Sequence, residues 1–197
     1  MYYLNFPKDH PLNTYGDADF DSEVTINDVL EVVDFILEED VPTEDQFRNC
    51  DVNSDEEINI ADVVMMVDII FGGTGRVVGF DAGEIAYIDL KTDFKKSLLT
   101  FEIEYNSPVR GIEFELEFDP TMVNVMPPSL MNFQENVMIS YTEKEPGILK
   151  VLAADLQGGH IEATDNSYMS IPIEFMGNER ENSFVTLDGI KLAGADG

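Results

Sequence analysis

The chain is poor in the residues that carry most enzyme chemistry. It has one cysteine, two histidines and no tryptophan in 197 residues. A single Cys50 excludes an intrachain disulfide, and a nucleophilic thiolate would need a base beside it. His10 and His160 sit in no recognisable motif, so Cys50 reads as a small buried hydrophobe. The lack of tryptophan removes the commonest platform for stacking a sugar. Basic residues are scarce too: 11 Lys+Arg stand against 40 Asp+Glu, a formal charge of −29. Such a surface repels nucleic-acid phosphates and anionic membranes. The longest apolar runs, such as Val63–Val67, are far too short to span a bilayer, so no membrane insertion is expected. Met1-Tyr2-Tyr3 opens without the basic start and apolar run of a leader. A leader was therefore removed before this numbering begins, or there was none.

What is present is an apolar fraction of 44%, enough for a real core despite the charge. The hydrophobic rhythm changes along the chain. Before residue 72 apolar residues recur at helical spacing, and after residue 84 they alternate with period two. The glycine-rich stretch from Gly72 to Gly79 separates the two patterns. The expected division is an extension over 1–14, a helical unit over 15–73, a linker over 74–79 and a β unit over 80–197.

The helical unit contains a repeat. Asp17-Ala18-Asp19-Phe20-Asp21 is matched 34 positions later by Asp51-Val52-Asn53-Ser54-Asp55. In the same register Val24, Ile26 and Asp28 fall on Ile58, Ile60 and Asp62. The stripe Val29, Leu30, Val33, Ile36, Leu37 falls on Val63, Val64, Val67, Ile70, Phe71. Two amphipathic helices packed face to face are predicted. Between them, Thr43 and Gln46 have the spacing of a capping box, which starts a short helix near residue 44.

Each acidic loop offers oxygen ligands at positions one, three, five, nine and twelve, with the seventh-position carbonyl completing the set. In the first loop these are Asp17, Asp19, Asp21, Thr25 and Asp28, with the Glu23 carbonyl. In the second they are Asp51, Asn53, Asp55, Asn59 and Asp62, with the Glu57 carbonyl. This is EF-hand spacing, and it suits a hard, flexible cation such as calcium, two Ca2+ in all. Crowded carboxylates repel one another without a cation, so metal binding and folding should be linked.

Residues 15–73 resemble a dockerin, the calcium-binding docking module of cellulosomes and related surface assemblies. The duplicated Asp-x-Asp/Asn-x-Asp loops, the twelfth-position Asp and the apolar helices carry the resemblance. Two departures stand out. Ser22 and Glu56 replace the usual sixth-position glycine, and a non-glycine residue at positive φ costs about 1 kcal/mol. At positions ten and eleven, where dockerins often carry a Ser-Thr recognition pair, stand Ile26-Asn27 and Ile60-Ala61. This implies a more apolar contact.

From Glu84 onward, Leu99, Phe101, Ile103 and Tyr105 alternate with polar residues, as do Ile112, Phe114, Leu116 and Phe118 with Glu113, Glu115 and Glu117. Seven to nine antiparallel strands in a β-sandwich follow. The run Val109–Pro120, together with Ala153-Ala154-Asp155 and Leu187-Asp188-Gly189-Ile190, is similar to the cohesins, the jelly-roll receptors of dockerins. The fold class is thus α+β multidomain, an all-α dockerin-like pair of loop–helix units followed by an all-β, cohesin-like sandwich. The glutamate stripe reads as a solvated strand face rather than a catalytic pair, which would span a cleft from separate strands. Met122, Met126, Met131 and Met138 read as core filler.

Together these readings describe a non-catalytic, calcium-binding scaffold protein outside the cell or on its surface. Its partner would be a cohesin-like or dockerin-like module, another copy of the same chain included. Head-to-tail assembly into a fibre, strand donation by Tyr2–Phe6, and intramolecular docking all remain open. The alternative is a carbohydrate-binding module with a calcium-stabilised dockerin appendage and a polysaccharide partner.

Overall fold

The structure, a computed structural model, describes residues 15–72, 85–105, 108–176 and 185–194. The expected extension 1–14, the linker 74–79, the strand-donor segment Tyr2–Phe6 and His10 lie outside them. Three helices come first: α1 (Ile26–Ile36), α2 (Glu44–Cys50) and α3 (Ile60–Ile70). Each begins at a capping box: Thr25 with Asp28, Thr43 with Gln46, and Asn59 with Asp62. The side-chain oxygens satisfy N–H groups that the first helical turn leaves orphaned. The box expected at Thr43 is present, and Cys50 is fully buried as expected. Burial among carboxylates pushes the Cys50 thiol up to about 12, which keeps it an inert thiol.

Among the described residues nine strands follow: β1 (Ile85–Asp93), β2 (Leu98–Tyr105), β3 (Val109–Phe118), β4 (Val123–Val125), β5 (Ser129–Leu130), β6 (Val137–Glu145), β7 (Ile148–Asp155), β8 (Ser167–Phe175) and β9 (Val185–Gly194). Neighbouring strands pair antiparallel, in two sheets. One has the order β1-β2-β8-β4 with β5 also on β8, and the other has the order β6-β7-β3-β9. The inner faces enclose a core in which Phe101 and Phe114 stack with ring centroids 4.5 Å apart. This is the expected two-sheet sandwich.

The second sheet also uses its outer face. Leu152, Ala154 and Ala193 are buried not in the sandwich core but in a cluster with the helical unit, and Met138 packs against it. Helix α3 lies between α1 and this sheet, so it is buried nearly all round, while α1 keeps an exposed side. Two expectations need correction. The α1 stripe was expected to bury Leu30, yet Leu30 is exposed, because nothing among the described residues covers that side of α1. Met126 and Met131 are exposed rather than core filler; only Met122 packs against the sandwich core.

Candidate metal centres and docking face

The two loops fold alike because they share the same internal hydrogen bonds. In the first, Asp28 reaches back from α1 to accept the Ala18 N–H (2.8 Å) and the Asp19 N–H (3.3 Å) on Oδ1. Its Oδ2 accepts the Thr25 N–H (2.8 Å). In the second, Asp62 Oδ1 accepts from Val52 (2.8 Å) and Asn53 (3.2 Å), and Oδ2 accepts from Asn59 (2.9 Å). Asp17 and Asp51 each accept the sixth-position N–H, of Ser22 and Glu56, both at 3.1 Å. Asp19 accepts the Asp21 N–H (3.0 Å), as Asn53 accepts the Asp55 N–H (2.9 Å). Asp21 and Asp55 in turn accept from Glu23 and Glu57.

The tight turns force left-handed backbone at two positions per loop. Ser22 and Glu56 lie at φ 75° and 72°, as the missing sixth-position glycines imply, and Phe20 and Ser54 at φ 64° and 61°. The fourth-position strain was not expected from sequence.

In the first loop, carboxylate oxygens of Asp17, Asp19 and Asp21 all lie within 4.8 Å of one another. Asp17 is buried, and its Oδ1 has no hydrogen-bond partner. Three converging carboxylates with an orphaned buried oxygen form an oxygen-only donor set of the kind a hard divalent cation takes. The second loop substitutes the amide of Asn53 for one carboxylate, and its Nδ2 donates to Asp55 at 2.7 Å. Thr25 and Asn59 use their side chains as helix caps, accepting from Asn27 and Ala61. Burial pushes Asp62 up to about 7, although the Asn59, Asn53 and Val52 N–H groups pull it back.

Each loop is tied to the rest of its unit. The Asn49 side chain donates to the Asp17 carbonyl (2.9 Å) and Gln46 to the Ala18 carbonyl (3.2 Å), so α2 braces the first loop. The second loop is braced by the sandwich. Glu57 pairs with Lys191 at 2.8 Å, and the Ile60 N–H donates to Glu113 Oε2 at 3.0 Å. One turn on, Val64 faces Gly111 of β3. A Cβ built on Gly111 would lie 2.5 Å from Ile60 Cγ1 and 3.0 Å from Val64 Cγ2. At the far end of the helix, Arg110 pairs with Asp68 at 2.6 Å, well shielded from solvent.

Glu113 corrects the sequence reading of the glutamate stripe. It is buried, 3.3 Å from Lys150, and it receives the first turn of α3. Glu115 pairs with Lys144, and only Glu117 is fully exposed. Arg110, Asp68 and Lys191 were also missed. One signal could have found them: an isolated glycine inside a strand marks close approach by another backbone. The β3–β9 register slips between Val109 and Gly111, and the extra residue lets Arg110 leave the core side that Val109 and Ile112 occupy.

The helical unit can now be placed among known families. Residues 15–70 match the dockerin type I domain. No curated protein matches the chain. Among solved structures, the sandwich is similar to a cohesin module from a Clostridium perfringens family 33 glycoside hydrolase, with 13% identity, 56% of this chain, 90% of that one and a TM-score of 0.39. It is also similar to a non-cellulosomal cohesin from Archaeoglobus fulgidus, with 22% identity, 51% of this chain, 68% of that one and a TM-score of 0.41. The dockerin unit thus comprises both acidic loops and all three helices, and its second repeat is the one that rests on the sheet.

Proposed function

We propose that this is a non-catalytic docking protein whose dockerin unit binds two calcium ions and uses the loaded helices to engage a β-sheet face. The first ion would be held by Asp17, Asp19, Asp21, Thr25, Asp28 and the Glu23 carbonyl. The second would be held by Asp51, Asn53, Asp55, Asn59, Asp62 and the Glu57 carbonyl. Thr25 and Asn59, being caps, would act through a water. Loops with a strained sixth position suit the millimolar calcium found outside cells, which supports an extracellular or cell-surface setting.

The observation that carries this reading is the seat of α3 on β3. Ile60 and Val64 are fully buried against Gly111, and the Ile60 N–H is bonded to Glu113. The apolar tenth-position residue Ile60 supports this reading, since it lies against Gly111 where a Ser-Thr recognition pair would stand in other dockerins. Docking here is intramolecular.

Calcium titration by calorimetry, combined with hydrogen exchange at the Ile60 amide, tests the proposal. Two binding events and calcium-dependent protection of that amide are expected. No heat in millimolar calcium, or protection indifferent to a chelator, would refute it.

A further inference from the structure

The helical unit and the outer face of the second sheet do not close completely on one another. Where α1 begins and α3 ends, a groove of about 460 Å³ remains between them. That is within the range of clefts that take a small ligand or a few side chains. Ile26, Ile70 and Phe71 wall it on the helical side, and Met138, Leu156 and the exposed Glu135 on the sandwich side. No basic residue lines it. Phe71 is 60% exposed and Ile26 42%, so apolar surface is left in water that a covering segment would remove.

The described chain starts beside this groove. The Gly16 N–H donates to the Asn49 carbonyl at 2.8 Å, and Gly16 lies against Val24 and Met66. Val24 is two residues from Ile26, and Met66 is one turn from Ile70 on the same side of α3. Before Tyr15 come residues 1–14, in which Tyr2–Phe6 brings three aromatic rings and a leucine together. Pro7 bounds that stretch, Lys8 follows it, and residues 1–8 contain no acid in a chain of charge −29. We infer that Tyr2–Phe6 folds back within its own chain and lays its side chains into the groove, strapping the helical unit to the sandwich. Reach permits it: Phe6 to Tyr15 spans up to about 30 Å when extended, and the turn from Met66 to Ile70 covers only about 6 Å. The tether also selects the chain's own segment, because a short linker holds it at an effective concentration on the order of millimolar, above that of a second copy. Charge agrees, since the segment brings Lys8 to a groove whose one charged wall is Glu135. The strap is a tie separate from the seat of α3 on Gly111. It needs the two units side by side, as the docking reading has them, and no outside partner.

The chain has no tryptophan, so Phe6→Trp in the full-length protein supplies a sole indole reporter. Tyr3→Trp is a second reporter, so that a misfit at one position does not decide the outcome. In calcium, the emission should be blue-shifted and acrylamide quenching several-fold slower than in a peptide of residues 1–14 carrying the same change. Neither value should vary with protein concentration. Phe71→Ser, at an exposed position, and Leu4→Ser, in the segment, should each lower the docked-to-free ratio roughly tenfold, the worth of one buried apolar side chain. Both should return the reporter toward the peptide's values while circular dichroism and protection of the Ile60 amide stay as they were. Reporters that both match the peptide while Ile60 remains protected would overturn the inference alone. So would a blue shift indifferent to Phe71→Ser, or one that appears only as the chain dimerises, which would mark a second copy's segment. An Ile60 amide that exchanges freely in calcium would overturn the docking reading, and the strap with it.

Discussion

Gly111→Val separates what holds each unit together from what holds the two units to one another. Valine suits a strand, and replacing glycine there narrows the unfolded ensemble, so the sandwich itself should not lose stability. The new Cβ, however, would lie 2.5 Å from Ile60 Cγ1 and 3.0 Å from Val64 Cγ2. Carbon atoms rest about 3.5–4.0 Å apart, so α3 must retreat by roughly 1 Å before the two further valine carbons are counted. That retreat stretches the 3.0 Å bond from Ile60 to Glu113 and the 2.6 Å pair between Asp68 and Arg110. Overpacking of this kind costs about 2–3 kcal/mol, and here the cost falls on the interface. For a unit of this size it corresponds to roughly 10–20 °C in melting temperature. Differential scanning calorimetry in calcium should show the wild-type chain melting in one transition. The variant should show two, a lower one that moves with calcium and an upper one that does not. Hydrogen exchange at the Ile60 amide should speed up in parallel. A variant that melts once, at the wild-type temperature and with that amide still protected, would refute the claim that this seat joins the units.

Three further outcomes follow from the same geometry. Asp68→Asn should cost about 3 kcal/mol, because it leaves the buried Arg110 guanidinium, whose Nε already lacks a partner, without its counter-charge. Replacing both, as Arg110→Met with Asp68→Leu, should recover most of that loss in a urea-denaturation cycle. Glu56→Gly should gain about 1 kcal/mol and tighten calcium binding, since it relieves φ 72° at the sixth position of the second loop; calcium titration and thermal melts check both. In metal-stripped protein, Asp62 near 7 makes stability fall with rising pH. The contribution of its protonated form is complete below pH about 4 and lost as pH climbs through about 7, roughly 4 kcal/mol in all. Urea midpoints of stripped protein should be lower at pH 8 than at pH 5. Calcium, which needs the carboxylate, should reverse that order.

The parts legible in the sequence were those set by local spacing. The loops, the capping boxes and the helices they start depend on residues within a dozen positions of each other, so a repeat of Asp17–Asp28 at Asp51–Asp62 announced itself. Longer strands were legible through alternation. The strands Val123–Val125 and Ser129–Leu130 were not, because two or three residues carry no period. Alternation also tells which residues share a face but not what covers it. Glu113 and Glu117 have the same place in the pattern, yet one lies under α3 and the other faces water. Leu30 and Val64 hold the same place in the repeat, and the difference between them is again tertiary.

The residues that build the second loop are also those that seat it. Glu57 lends its backbone to the loop and its carboxylate to Lys191. Ile60 follows the Asn59 cap and donates its N–H to Glu113, while Asp62 ties the start of α3 to Val52 and Asn53. A cation that fixes this loop therefore also fixes the donor that Glu113 accepts, so ion binding at the second loop and docking of α3 must strengthen one another by the same free energy. Among the described residues the first loop has no such tie to the sheet; its braces come from Gln46 and Asn49 on α2. Calcium at the first loop should order α1 against α2, whereas calcium at the second should also close the chain on itself. Two loops of matching ligand spacing thus gain separate roles because one of their helices meets Gly111.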